Sequence, residues 1–211
     1  MFTHKHPFTR RLHLIYALIV IGILCIAIVI LQTMNWGKPF SSDGNEHQPG
    51  KTLDSINGIA VYYNGATDNF TGRNVTSDGY NLGLKWQCVE FVKRYYYFHL
   101  SHKMPDATGN AKDFFDQSLP DAAYNEQRAL VQYRNASLKK PEVDDIIIFD
   151  GHLGNKYGHI AIISAISNDS IQIIQQNAGP YEPTRETLAL NFNDGRWRVM
   201  HKHVLGWLRI E

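Results

Sequence analysis

The chain has 211 residues, of which 44% are hydrophobic and 19% charged, with a formal net charge of +1. That length fits one domain of ordinary size with an appendage, and 10 Phe, 4 Trp and 11 Tyr argue against disorder of its main body. The balanced charge, with no basic stripe interleaved with aromatics, gives no reason to expect nucleic acid as a partner.

The N-terminus departs from this average. Residues 12–31 form an apolar run without Lys, Arg, Asp or Glu. About 20 residues at helical rise span about 30 Å, the hydrocarbon thickness of a bilayer. Lys5, Arg10 and Arg11 precede the run, and the next basic residue is Lys38. The sequence therefore predicts a cytoplasmic leader (1–11), a transmembrane helix (12–31) and a domain on the far side of the membrane. The run is long for a signal peptide, and no small-x-small cleavage site follows it. Residues 32–55 are rich in Gly, Pro, Ser and charge and read as a linker, which leaves 56–211 as the folded domain.

Residues 56–63 read as a short strand or an extended lead-in. Residues 64–83 are polar, hold four glycines and read as a surface loop. From Trp86 the large apolar side chains recur at helical spacing (Trp86, Val89, Phe91/Val92, Tyr95/Tyr96), so a helix is expected to about His99 or His102. A short second helix is expected near Asp113–Asp116. Residues 121–140 are ambiguous, with a short helix around Glu126 to Tyr133 as one reading. The second half reads as β-structure: strands at 145–150, 158–166 and 170–177, a hairpin across Asn193-Asp194-Gly195, and a last strand at 204–210 that closes the sheet. Helices first and an antiparallel meander after them is the α+β pattern.

Cys88 stands in the first turn of the expected helix. There the N–H groups and the positive end of the dipole favour thiolate over thiol. The only other cysteine, Cys25, lies in the apolar run, so Cys88 has no evident disulfide partner. Two readings stand: a nucleophile, or a small buried hydrophobe. An exported, unpaired thiol moves the balance toward use. A nucleophilic thiol needs a base, and His159 opens an apolar strand behind Tyr157-Gly158. His152 competes from inside a glycine-rich loop. A hairpin of 159–166 with 171–177 returns Gln175, Gln176 and Asn177 beside His159. Gln175 and Asn177 share a face by strand alternation, so either amide is placed to accept from the imidazole N–H. The alternative is a polar strand end capping a turn. A zinc site of Cys88, His152 and His159 lacks any close ligand pair, and the reading needs no metal or other cofactor.

The blocks Trp86-Gln-Cys-Val-Glu-Phe91, Gly158-His-Ile-Ala-Ile-Ile163, Gln175-Gln-Asn177 and Leu205-Gly-Trp-Leu208 resemble, in this order, the motifs of CHAP domains. These are papain-like, NlpC-related cysteine amidohydrolases and peptidases. Within the group the resemblance is nearest to the amidase domain of glutathionylspermidine synthetase/amidase and covers roughly residues 56–210. It implies a papain-like fold, with N-terminal helices packed on an antiparallel sheet. It also implies Cys88 as nucleophile, His159 as base, and hydrolysis of an amide in a peptide or polyamine-amide substrate through a thioester. The family usually has a glutamate where Gln175 stands; Asn177 matches the family asparagine and is a second candidate to orient the base. The Cys88 N–H, and less directly the Gln87 side chain, are expected to bind the oxyanion. Asp150 and Asp145 are placed either to attract a cationic amine or merely to keep a strand soluble. An inactive CHAP binding module is the rival reading, with Gln175 as its one hint.

Overall fold

The computed structural model describes residue 16, residues 18–23, and residues 48–211 except 107, 180 and 181. The chain divides into two compact units, Met1–Asn45 and Glu46–Glu211. In the first, residues 16 and 18–23 are helical and exposed. The membrane helix expected over 12–31 otherwise lies outside the described residues, as does most of the expected linker. Among the described residues no helix is long and apolar enough to cross a membrane.

The second unit starts earlier than the sequence predicts. Strand β1 (Thr52–Ile56) pairs antiparallel with β2 (Ile59–Tyr62), so residues 52–55 are part of the fold and not linker. The turn between them is Asn57-Gly58, both with positive φ (48° and 79°). That is the backbone of a type I′ hairpin turn, which favours Asn-Gly because both positions sit in left-handed space. Upstream, the Gly50 N–H donates to the Tyr63 carbonyl at 2.8 Å. Gly50 also lies so near the Trp86 indole that an added Cβ would stand 3.3 Å from its Nε1.

The expected surface loop contains a second hairpin, β3 (Arg73–Val75) with β4 (Asn81–Leu84). Helix α1 (Cys88–His99) follows, the one long helix among the described residues of this unit. It buries Phe91, Val92, Tyr95 and Tyr96, the face set by the i, i+4 and i, i+3 spacing of large apolar residues. The second helix is only a 3-10 turn, Ala111–Phe114, so the expected pack of helices reduces to one helix and a turn. Residues 121–140 are not helical. They form β5 (Ala123–Asn125) and β6 (Leu130–Arg134), paired antiparallel.

The remaining strands are β7 (Ile146–Phe149), β8 (His159–Ile166), β9 (Ser170–Ile174), β10 (Arg185–Asn193), β11 (Arg196–Val199) and β12 (Val204–Arg209). They join β5 and β6 in an eight-stranded sheet of order β11-β10-β9-β8-β7-β12-β6-β5, antiparallel throughout. The last strand does not close an edge, as the sequence suggests, but is inserted between β6 and β7. The sheet curls until its outer strand meets the segment after β6, where the Trp197 N–H donates to the Ser137 carbonyl at 2.7 Å.

Alternation on the strands makes two cores. Ile146, Ile148, Ile160, Ile162, Ile174 and Leu208 face α1. Ile147, Phe149, Ala161, Ile163, Ile173 and Trp207 fill the other face, inside the curl. Strands β7 to β9 are therefore buried on both sides, which is why they read as near-continuous apolar runs. A first residue of β8 beside α1 is held by a rigid wall.

Candidate active site

Cys88 is the first residue of α1, with Gln87 as N-cap. The Gln87 side chain does not cap the helix, so the first-turn N–H groups keep their outward donor capacity. Cys88 packs against the core cluster that contains Ile160, the residue directly after His159. The backbone N–H groups of Cys88, Val89 and Ile160 pull its thiol toward ionisation. The helix start and the mouth of β8 thus border the same core. Cys88 is a free cysteine, half-buried against the apolar core.

His159 opens β8 opposite Phe149 of β7, with the two rings 5.9 Å apart. Gly158 brings the chain into this position. It has φ +73°, and a Cβ there would strike the Phe149 carbonyl and come within 2.9 Å of the Lys112 Cβ. Only glycine fits both the turn and the space.

The imidazole Nε2 of His159 lies 3.0 Å from Gln175 Oε1. The Gln175 amide is itself held, since its Nε2 donates to the Pro183 carbonyl at 3.0 Å. That bond turns the amide oxygen toward His159. An amide oxygen can only accept, so His159 carries its proton on Nε2 and leaves Nδ1 as the basic nitrogen. The 183–185 stretch is anchored in turn: Thr184 and Arg185 both bind the Asp54 carboxylate of β1, at 3.0 and 2.8 Å.

Burial decides the protonation of both groups. It pushes the Cys88 thiol up to about 11, against the pull of the three backbone N–H groups. It holds the His159 imidazole down to about 4, against the opposing hydrogen bond to Gln175. The helix N-terminus favours a thiolate, and burial of Cys88 opposes it. Burial favours the neutral form of each group. No ionised side chain is among the causes of either shift.

The other residues singled out by the sequence fall differently. Asn177 does not orient the base. β9 ends at Ile174, and Asn177 has φ +55°, so strand alternation no longer applies to it. Its Nδ2 donates to the Thr67 carbonyl at 2.8 Å and to Gln87 Oε1 at 2.7 Å. The Gln87 amide donates to the Thr67 and Asn69 carbonyls, at 3.2 and 3.1 Å. Its donors are therefore already engaged within the protein. Asp150 turns its carboxylate back to the Gly151 N–H at 2.7 Å. Asp145 is buried and paired with Arg209 at 2.8 Å, which is a structural role. His152 stacks on His203, ring centroids 4.9 Å apart.

Sequence reasoning missed Gln176, which is 1% exposed. Its Oε1 accepts from the Tyr62 N–H at 2.7 Å, and its Nε2 donates to the Gln87 carbonyl at 3.0 Å and to Glu90 Oε2 at 2.9 Å. Glu90 is ion-paired with Arg94, 2.7 Å away on the next turn, and accepts from Asn74 at 2.7 Å. The signal was a Glu–Arg pair at i, i+4 on a helix crowded with large apolar residues, a pair that must be buried together or not at all.

The sequence has counterparts among known proteins. Residues 78–177 match the family model of the CHAP domain. Over 145 residues the chain is 30% identical to the trypanothione synthetase of Crithidia fasciculata, a match covering 67% of this chain and 22% of that protein. It is 25% identical over 187 residues to the glutathionylspermidine synthase of the same organism, covering 83% and 25% respectively. It is 30% identical over 112 residues to the bifunctional glutathionylspermidine synthetase/amidase of Escherichia coli (strain K12), covering 52% and 18%. The aligned part spans a quarter or less of the length of each of these relatives.

Proposed function

From its CHAP domain, matched over residues 78–177, we propose that this chain is a cysteine-dependent amidohydrolase or peptidase. The observation that carries the reading is Cys88, first residue of α1, packed against the core cluster that contains Ile160, where the preceding His159 has its imidazole hydrogen-bonded to Gln175. In the proposed reaction His159 Nδ1 takes the thiol proton as sulphur attacks an amide carbonyl. The S–C bond forms, and the carbonyl oxygen becomes an oxyanion facing the Cys88 N–H. As the C–N bond breaks, His159 returns the proton to the leaving amine. A thioester remains, and His159 then draws a proton from the water that hydrolyses it.

The substrate class is an amide in a peptide, such as a cell-wall stem, or in a polyamine conjugate. Names among the relatives favour the second, since they include a glutathionylspermidine amidase. The apolar run at 12–31 and the basic residues before it support a membrane-anchored chain, with its amidase domain outside the cytoplasm.

The test uses the full chain and its Cys88→Ala variant on two substrates, peptidoglycan fragments and glutathionylspermidine. Release of an amine from either one by the wild type only supports the reading and selects the class. No release from either, together with no reaction of Cys88 with iodoacetamide, overturns it in favour of an inactive binding module. The observation on the side of that module is the amide at 175 where the family has a carboxylate. Retention of the full chain in carbonate-washed membranes tests the anchor.

A further inference from the structure

The three residues Gln175, Gln176 and Asn177 each hold a different part of the site. Gln175 holds the His159 imidazole. Gln176 donates to the main-chain carbonyl of Gln87 at 3.0 Å. Asn177 donates to the side-chain oxygen of the same Gln87 at 2.7 Å. Gln87 immediately precedes Cys88. One short segment therefore grips the base with its first residue and the approach to the nucleophile with the next two.

The grip on Gln87 is closed from a third side. Thr67 O accepts from both the Gln87 and the Asn177 amides, and Asn69 O accepts from Gln87. The loop that offers these carbonyls is organised by Asn64, 3% exposed. Asn64 donates to Ala66 O at 2.8 Å, and its own carbonyl accepts from Asn69 at 2.6 Å. Each amide hydrogen-bonds with the geometry its chemistry allows, so the clasp has one arrangement. The left-handed backbone of Asn177 lets two successive side chains converge on one residue, where an extended strand would send them to opposite faces.

We propose that Gln176 and Asn177 are positioning residues, which through Gln87 set the place of the Cys88 sulphur relative to the His159 nitrogen that must take its proton. Neither touches the reacting atoms. The inference rests on the amidohydrolase reading and deepens it. Proton transfer from thiol to imidazole needs the two atoms aligned, and these hydrogen bonds are what the scaffold offers to align them.

The test is Asn177→Gly, which keeps the left-handed backbone and removes the amide, alongside Gln87→Ala and the double variant. All are made in the full chain, with melting temperatures to confirm folding. The substrate is whichever of the two above the wild type hydrolyses. The clasp predicts that each single variant lowers kcat about tenfold or more with KM within about twofold, and that the double variant is no worse than the worse single one. It also predicts that alkylation of Cys88 by iodoacetamide, followed on the Cys88 peptide by mass spectrometry, slows near pH 7 but not near pH 10, where the thiol ionises increasingly without help. Unchanged kcat and an unchanged alkylation profile in folded Asn177→Gly overturn the clasp, as does simple additivity in the double variant. A wild type that hydrolyses nothing, with an unreactive Cys88, overturns the functional reading instead, so the two failures are distinct.

Discussion

Two clusters lie within one turn of each other on α1, and they are built by opposite rules. At Cys88 burial favours the neutral thiol and imidazole, and the group that holds the imidazole is the Gln175 amide. At Glu90 and Arg94 two side chains of opposite charge form a buried ion pair, with Glu90 fully buried, and their further partners are hydrogen-bonded to them. Asn74 and Gln176 reach Glu90, and the Ala60 carbonyl accepts from Arg94 at 2.8 Å. Buried charge is used here to fix the helix against β2 and the end of β9, not to polarise the sulphur. The difference teaches where each cluster should be sensitive. The neutral one should respond to alignment and to pH, and the charged one to removal of either partner.

The sharpest break falls on the neutral cluster. Cys88→Ala and His159→Ala should each lower kcat by about 10⁴-fold or more, with the double variant little worse than either, since the two act as a unit. Initial rates of amide hydrolysis measure this, and both variants should keep the wild-type fold. On the charged side, Glu90→Ala or Arg94→Ala leaves an uncompensated buried charge and should cost about 3–5 kcal/mol in urea unfolding. Replacing both by apolar residues of similar volume should cost less than either single change.

Next comes Gly158→Ala, which forces a Cβ toward the Phe149 carbonyl in left-handed backbone. It should lose about 1–3 kcal/mol in thermal or urea melts and lower kcat by displacing His159. Gln175→Glu should move the two clusters toward each other in kind. A carboxylate beside His159 raises the imidazole from its depressed value and favours the ion pair, so Cys88 alkylation near pH 7 should speed up relative to wild type.

The smallest effect is on stability against pH. The folded imidazole titrates near 4, below its unfolded value of about 6.5. The unfolded chain therefore binds more protons between these limits, and the His159 contribution is present above about 6.5 and lost as pH falls toward 4. Asp145 is raised by burial to about 6, against the pull of Arg209, and works in the opposite direction over an overlapping range. Its raised carboxyl adds stability at low pH that is lost as pH rises toward 6. His159→Gln should therefore flatten the acid loss of stability, while Asp145→Asn should steepen it, in urea midpoints taken from pH 4 to 7.

Much of this was legible in the residues. The helix from Cys88 to His99 followed from the spacing of Val89, Phe91, Val92, Tyr95 and Tyr96. The hairpin that returns Gln175 to His159 followed from two isoleucine-rich runs across Asn168-Asp169, and the structure pairs Ile162 with Ile174. The errors came where tertiary partners overrule local pattern. Gln132 is fully buried in β6, where a polar side chain argues against a strand. It is satisfied by the Asp116 backbone, whose N–H donates to Oε1 and whose carbonyl accepts from Nε2, both at 2.8 Å, and by Asn125 at 3.0 Å. No periodicity reports such partners. Asn177 was misplaced because alternation holds only while the backbone stays extended. By contrast β1 was legible and overlooked, because Asn57-Gly58 between two short runs is a hairpin signal in its own right.

The close approach of Gly50 to Trp86 ties the chain ahead of β1 to the segment that leads into Cys88. Trp86 is two residues from the sulphur, and its main-chain N–H faces Asn64 Oδ1 at 3.4 Å, the same Asn64 that shapes the loop around Gln87. A domain trimmed to begin at its first strand would lose the cover on that indole and keep every residue of the thiol and imidazole. Residues 48–51, just ahead of β1, thus belong to the surroundings of Trp86, so a truncation that removes them should be compared with the full chain in any test of the proposed activity.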